Sequence, residues 1–206
     1  MTLLLLARHG NTFGPGDRIV WVGAREDLPL VKSGEAQAAA LGEKLREFDL
    51  APASIVSGPL KRTRRASEII KAITASDAPI DIDTRLTEID YGSWGGKTDE
   101  EIDAEFGPDA IPDWREHHRR PANAGWSPDD AALEANALGV LADHQSARSP
   151  ALVITSNGIL RYFHAALGFD GDAKVKTGHV CAARHDGRQW RPIFWNIKPE
   201  DMPEVS

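Results

Sequence analysis

The chain has 206 residues, of which 41% are hydrophobic and 27% charged, which is enough to bury one core and a small appended lid. Its 31 acidic and 24 basic residues give a formal net charge of −7, which argues against nucleic acid or an anionic membrane surface as the main partner. The single cysteine, Cys181, excludes an internal disulfide framework and a cysteine-based zinc site, and it fits a reducing compartment.

The first half of the chain alternates predicted strands and helices. Residues 3–7 form a continuous apolar run, as in a strand covered on both faces. This run is too short for the apolar core of a signal peptide, and no 18-residue apolar span follows it, so we expect a cytoplasmic protein with no membrane partner. Helical spacing of apolar residues predicts a helix over 31–48 with Ser33 as its N-cap. Residues 54–57 read as a second strand, and Gly58-Pro59 turns the chain into a second helix.

The second half continues the alternation and ends in a hairpin. The predicted elements are a strand over 79–83, a helix capped by Ser127 with Pro128 in its first turn, a strand over 151–155, a helix over 157–167, and two strands, 181–185 and 190–195, that turn at Asp186-Gly187. This order predicts a single α/β domain over residues 1–206. We expect a three-layer sandwich with a mostly parallel central sheet and helices on both faces.

Polar residues follow three of the predicted strands at their carboxyl ends, where α/β sheets bind ligands. Arg8 and His9 end the first strand, Ser57 ends the second, and Asn157 follows the strand over 151–155. Extending the apolar stripe of the second helix backward in steps of three and four reaches Arg62, so this guanidinium points toward the same edge. Two guanidiniums near an imidazole, in a protein that is acidic overall, predict a pocket for an anion with several oxygens, and phosphate fits best.

Four motifs in order resemble the histidine phosphatase superfamily, which includes the cofactor-dependent phosphoglycerate mutases. They are RHGNT at 8–12, D-x-P-L-x-x-x-G-x-x-Q-A at 27–38, S-x-x-L-x-R at 57–62, and LTEIDYGSWGG at 86–96. The resemblance covers nearly the whole chain and is weakest over 97–126. It implies a phosphoglycerate mutase-like fold.

The resemblance also implies roles for individual residues. His9 would be the nucleophile that becomes a phosphohistidine, and Glu88 would protonate the leaving oxygen. The positions implied to contact the phosphoryl group are Arg8, Asn11, Arg62 and Asn157. The chemistry agrees, because a neutral imidazole is a competent nucleophile and two arginines can neutralise phosphoryl charge without a metal ion. We therefore expect neither a metal nor a cofactor.

One position departs from the family pattern. Where these proteins usually have a second active-site histidine, in a Ser-His-Gly context after a buried strand, this chain has T-S-N-G, which puts Asn157 there. The register follows from the preceding strand and from Gly158 and Arg161 after it. An asparagine amide still donates hydrogen bonds but carries no positive charge. We expect attenuated activity or altered specificity rather than a dead site.

Three functions follow from this reading. The first is a phosphatase that acts on a small phosphomonoester or a phosphoprotein. The second is a phosphomutase of the phosphoglycerate mutase type, and the third is a non-catalytic phosphate-binding module. Retention of Glu88 disfavours the module, since binding needs no leaving-group acid. Residues 90–127 are expected to form a lid or substrate-facing insertion, with Trp114 and Trp126 as an aromatic wall or as lid packing.

Overall fold

A computed structural model of the protein describes residues 1–147 and 149–205, and it is built around a six-stranded sheet. The strands are β1 Thr2–Arg8, β2 Ser54–Ser57, β3 Ile80–Ile82, β4 Ala151–Thr155, β5 Val180–His185 and β6 Trp190–Ile197. Their order across the sheet is β3-β2-β4-β1-β5-β6. The neighbours from β3 to β1 are parallel, while β5 and β6 are antiparallel. The prediction of a mostly parallel sheet is confirmed.

Strand register brings the three polar strand ends together. Strand β4 lies between β1 and β2, with Thr155 opposite Arg8 and Ile154 opposite Ser57. Because all three strands run in the same direction, their carboxyl ends meet at one edge of the sheet. The loops that follow them therefore share that edge, as the sequence predicts.

Helices cover both faces of the sheet, which confirms the three-layer prediction. They are α1 Lys32–Glu47, α2 Lys61–Thr74, α3 Asp99–Phe106, α4 Ala110–His117, α5 Asp130–His144 and α6 Asn157–Ala166, with short 3-10 turns at Thr84–Leu86, Gly92–Trp94 and Pro199–Asp201. Alternate residues of β1 face opposite ways: Leu5 packs with α1 and α2, whereas Leu4 packs with α5 and α6. Each face of the sheet thus carries its own core.

Two predicted helix starts are wrong. Helix α1 begins after Val31, and Ser33 lies inside the helix, where its hydroxyl accepts a hydrogen bond from Asn11. Helix α5 is capped by Asp129 rather than Ser127, because the Asp129 carboxylate accepts from the N–H of Ala132 at 2.8 Å. A carboxylate at that end is the stronger cap because it also meets the positive end of the helix dipole.

The segment between the third strand and α5 holds two helices that the sequence analysis did not predict. Helix α3 begins with a capping box in which Thr98 and Glu101 each bind the other's backbone N–H. Helix α4 then places Trp114 against Trp126, with ring centroids 4.9 Å apart. Trp126 also packs edge-on against Tyr91 and Trp94. This aromatic cluster holds the segment over the carboxyl edge of the sheet.

Candidate active site

A cavity of about 800 Å³ opens at the carboxyl edge of the parallel strands. The structure brings all six residues singled out in the sequence to its wall. They are Arg8, His9, Asn11, Arg62, Glu88 and Asn157. The rest of the wall comes mainly from residues 12–22 and from the two unpredicted helices, and Tyr91, Arg161, Lys174 and Thr177 complete it.

His9 follows the last residue of β1 and is 6% exposed. Gly10 and Gly34 of α1 touch backbone to backbone, so a Cβ on Gly10 would lie 2.2 Å from the Gly34 oxygen. This contact fixes the backbone at Gly10, the residue that follows His9. The Nδ1 atom lies 2.8 Å from the Gly10 carbonyl oxygen, which can only accept, so Nδ1 carries the ring proton. The Nε2 atom is therefore left with its lone pair, and it accepts from Arg62 Nε at 3.2 Å.

The imidazole of His9 is held in its neutral form. Burial, followed by the charges of Arg62 and Arg8, lowers the pKa of His9 well below its ordinary value of 6.5. At neutral pH the ring is uncharged. A neutral ring with a fixed Nδ1 proton is the tautomer that can attack through Nε2.

Arg62, in the first turn of α2, is 1% exposed and fixed in orientation. Its Nη1 donates to the Glu26 carbonyl and its Nη2 to the Gly23 carbonyl, both at 3.0 Å. With Nε on His9, these bonds hold the guanidinium plane next to the imidazole. One N–H on each terminal nitrogen is left for a ligand, since the guanidinium has five.

Arg8 and Asn157 both bind the backbone of Val175. Arg8 Nη1 donates to the Val175 carbonyl at 2.7 Å, and Asn157 Oδ1 accepts from the Val175 N–H at 2.8 Å. Arg8 Nε is buried and has no hydrogen-bond partner. Burial lowers the pKa of Arg8 from its ordinary value of 12.5.

Asn11 lies at the rim and is held by three neighbours. Its backbone N–H donates to Gln37 Oε1 at 2.8 Å, and its side-chain oxygen accepts from the Thr177 hydroxyl at 2.5 Å. The amide nitrogen donates to Ser33 at 3.4 Å. Asn11 thus ties the residues after His9 to the loop that carries Val175.

Glu88 is 5% exposed, and its carboxyl group lies against the N-terminus of α6. One carboxyl oxygen accepts from the Ile89 N–H at 2.9 Å and the other from the Gly158 N–H at 3.2 Å. A Cβ at position 158 would lie 2.2 Å from Glu88 Oε1, so glycine is required there. Burial raises the pKa of Glu88 above its ordinary 4.5, outweighing the opposing effects of the N–H donors and of Arg62 and Arg8.

Two buried residues of the cavity wall were not proposed from the sequence as site residues. Arg161 lies one helical turn after Asn157 on α6, and Tyr91 lies three residues after Glu88. Burial raises the pKa of Tyr91 well above 10, so its hydroxyl stays protonated. The i, i+4 spacing from Asn157 is the sequence signal that points to Arg161.

No group of three or more His, Cys, Asp or Glu side chains is arranged to hold a metal ion among residues 1–147 and 149–205. In the same part of the chain, no helix has both the length and the apolar character needed to span a bilayer.

Comparisons with known proteins place this chain and its fold in one class. Residues 4–198 match the histidine phosphatase superfamily (branch 1), and the chain belongs to that superfamily. It is 33% identical over 211 residues to the 2,3-bisphosphoglycerate-dependent phosphoglycerate mutase of Bifidobacterium longum, covering 98% of this chain and 81% of that protein.

Phosphatases are found among the similar proteins as well. The chain is 33% identical over 228 residues to the glucosyl-3-phosphoglycerate phosphatase of Mycolicibacterium vanbaalenii, covering 98% of this chain and 97% of that protein. The solved structure of a mycobacterial glucosyl-3-phosphoglycerate phosphatase with VO3 superposes with a TM-score of 0.77 and 26% identity, covering 94% of this chain and 98% of the other. These relatives support a hydrolase and make phosphatase or mutase activity plausible.

Proposed function

We propose that the protein is a metal-independent phosphatase that hydrolyses a phosphomonoester through a phosphohistidine on His9. The observation that carries the proposal is the unprotonated Nε2 of His9, which accepts from Arg62 and lies in the wall of a cavity beside two guanidiniums and a buried carboxyl group. In-line attack on phosphorus requires such a nucleophile, and the two cations would grip the oxygens around it.

The first step transfers the phosphoryl group to the enzyme. The Nε2 lone pair of His9 forms the N–P bond while the ester P–O bond breaks, leaving its electron pair on the departing oxygen. Glu88, whose pKa is raised by burial, gives its proton to that oxygen in this proposal. Arg62 Nε–H is released from His9 and donates to a phosphoryl oxygen, and the unpartnered Arg8 Nε–H is a second donor.

The second step returns the enzyme to its starting state. The Glu88 carboxylate takes a proton from water as the water oxygen forms a bond to phosphorus. The N–P bond breaks and its electron pair returns to His9 Nε2, which releases inorganic phosphate. The same carboxyl group therefore acts first as acid and then as base.

Asn157 belongs to this proposal as the replacement for the second active-site histidine of the superfamily. Its side-chain oxygen is engaged by Val175, so only the amide N–H₂ group is left to donate toward a phosphoryl oxygen. Loss of one donor outright costs roughly 100- to 1000-fold in rate, and a neutral donor in its place costs less. We expect weakened rather than absent turnover.

The substrate we propose is a small phosphorylated compound, with a phosphoprotein as the other class open to it. A volume of about 800 Å³ is in the range of small-molecule sites. Residues 90–127 form the substrate-facing wall in this proposal, since Trp114 and Arg115 of α4 line the cavity. The proposed function does not depend on the oligomeric state of the protein. A cytoplasmic location remains a prediction from the sequence.

A phosphomutase is the second candidate, because the relative from Bifidobacterium longum is a mutase of equal identity. In a mutase the phosphohistidine returns its group to the substrate, whereas in a phosphatase it reacts with water. The non-catalytic binding module is disfavoured by Glu88, whose burial serves no purpose in binding an anion.

The test measures release of inorganic phosphate from p-nitrophenyl phosphate with and without EDTA, and traps an acid-labile phosphoenzyme. We expect turnover that survives EDTA and disappears in His9→Ala. His117→Ala, an exposed histidine on α4, is the matched control and keeps full rate. Phosphate binding without turnover between pH 4 and 9 contradicts the proposal and favours the module. Transfer of a labelled phosphoryl group between positions of phosphoglycerate, without release, favours the mutase.

A further inference from the structure

Arg161 is a third buried guanidinium in the cavity wall, and its bonding is incomplete. It is 5% exposed, and Nη2 donates to the Arg115 carbonyl at 3.3 Å. Its Nε and Nη1 atoms are buried with no hydrogen-bond partner. Buried N–H groups of a cation are costly to leave unsatisfied, so their persistence indicates a ligand with acceptor oxygens.

No carboxylate forms an ion pair with this cation within residues 1–147 and 149–205. The ion pairs there do not include Arg161, whereas its neighbour Arg115 pairs with Asp99 at 2.9 Å. Instead, the guanidinium lies over the Trp114 ring, with its carbon 5.2 Å from the ring centroid. Stacking on Trp114 fixes the plane of the guanidinium and leaves the N–H groups along its edge free. These N–H groups can donate to a planar or tetrahedral oxyanion.

The position of Arg161 differs from that of the two arginines beside the nucleophile. Arg62 contacts His9 directly, while Arg161 is anchored to α4 on the wall formed by Trp114. Arg161 and Trp114 also line a neighbouring, mainly apolar cavity of about 470 Å³, together with Leu138 and Tyr162. Arg161 and Trp114 therefore lie where the cavity that holds His9 adjoins this second cavity.

We propose that Arg161 binds a second oxyanion, on the leaving group of the substrate, and so selects phosphomonoesters that carry another negative charge. The inference rests on the phosphatase proposed above and adds the substrate class. A carboxylate and a second phosphate offer the same paired oxygens to the guanidinium edge. Arg8 and Arg62 remain the ligands of the transferred phosphoryl group.

Two pairs of substrates test this assignment and separate the two sources of charge. 3-Phosphoglycerate carries a carboxylate at the position where glycerol 3-phosphate carries an uncharged hydroxymethyl group. Fructose 1,6-bisphosphate and fructose 6-phosphate differ by one phosphate. For the wild type we expect kcat/KM to favour the more anionic member of at least one pair by about 10- to 100-fold, mainly through KM, because a charged hydrogen bond is of this strength.

Substitutions of Arg161 test whether this residue causes the preference for the more anionic substrate. Arg161→Gln should remove it while leaving the rate on glycerol 3-phosphate within a few-fold, and Arg161→Lys should restore part of it. Arg64→Gln, an exposed site on α2, removes the same charge from the surface and should keep the preference. Equal kcat/KM within both pairs for the wild type overturns the inference. So does a preference that survives in Arg161→Gln, or an equal loss on both members of a pair.

A binding measurement separates this inference from the phosphatase proposal. Titration calorimetry on His9→Ala, which cannot form the phosphoenzyme, compares affinity for 3-phosphoglycerate and glycerol 3-phosphate. A preference for the first that is lost in His9→Ala/Arg161→Gln supports the role of Arg161 even if the wild type turns over neither compound. Turnover by the wild type with no such preference in binding or kcat/KM for either pair leaves the phosphatase intact and rejects Arg161.

Discussion

Asn157 and Arg8 are joined through a single residue, because the Asn157 oxygen accepts from the Val175 N–H and the Val175 carbonyl accepts from Arg8. An asparagine oxygen can hold the backbone N–H at any pH, whereas a histidine can do so only while its Nδ1 is unprotonated. The neutral side chain at position 157 is thus part of the framework that orients the Arg8 guanidinium.

Removal of that oxygen should loosen Arg8. In Asn157→Ala the buried N–H of Val175 loses its partner, which costs about 1–3 kcal/mol of unfolding free energy. We expect kcat on p-nitrophenyl phosphate to fall about 10-fold or more, since a misplaced donor weakens transition-state stabilisation. Chemical denaturation and steady-state kinetics measure the two effects. A variant with wild-type stability and rate would show that the Val175 contact is dispensable.

Asn157→His is the complementary change. An imidazole that keeps the Val175 contact must leave Nδ1 unprotonated, so it offers an Nε2–H donor but no charge. We expect a modest rise in kcat near neutral pH and a loss of stability below about pH 6, where protonation breaks the Val175 contact. The kcat of wild type and variant at pH 7.5, and their melting temperatures at pH 7.5 and 5, check both parts. Unchanged kcat would mean that asparagine does not limit the chemistry.

Arg62 supports structure and chemistry together. Arg62→Ala leaves the carbonyls of Gly23 and Glu26 without their buried donor, and we expect a loss of about 3 kcal/mol or more in unfolding free energy. Arg62→Lys keeps the charge but cannot reach His9 and both carbonyls at once. We therefore expect the lysine variant to fold and to lose at least 100-fold in kcat/KM. A wild-type value of kcat/KM in the lysine variant would contradict the proposed role of the Arg62 guanidinium in catalysis.

Glu88→Gln tests the leaving-group acid. Burial keeps the Glu88 carboxyl protonated above its usual pKa, and activity should fall as pH rises through that raised value. In the variant we expect this alkaline limb to disappear and the rate to drop roughly 100- to 10,000-fold. The loss should be larger for glycerol 3-phosphate than for p-nitrophenyl phosphate, whose leaving group needs less help from an acid. Glu68→Gln, on the exposed face of α2, is the control. Equal losses on both substrates would argue against proton donation.

The sheet and its ligand-binding edge were predictable because their signals are local. Apolar runs indicate the strands, and polar residues end or follow three of the parallel strands at the same edge. The inward direction of Arg62 followed from helical spacing alone, and the structure confirms it. Contacts to the backbone were not predictable in this way, because they join residues far apart in the chain. Val175 lies 18 residues from Asn157 and 167 residues from Arg8.

Helices α3 and α4 show the other limit of sequence reasoning. Both are only 8 residues long, so helical periodicity is weak, although the capping box at Thr98 and Glu101 marks where α3 begins. Their place is set by the aromatic cluster around Trp126, whose partners come from separate segments. The burial of Arg161 was not predictable, because it depends on contacts with Trp114 and Arg115 of α4. Tertiary packing, not local pattern, decides such positions.

The neutral state of buried His9 makes the stability of the folded protein depend on pH. Burial, with the charges of Arg62 and Arg8, lowers the pKa of His9 in the folded protein, so the unfolded chain binds the proton more tightly. This contribution is complete above pH 6.5 and is lost as pH falls toward the lower folded value, at up to about 1.4 kcal/mol per pH unit. His9→Gln cannot titrate, so its stability should fall less between pH 7.5 and 5. Part of the slope should remain, because burial also lowers the pKa of His164. Urea unfolding at several pH values measures the difference, and parallel curves for the two proteins would mean that His9 is not held neutral by its surroundings.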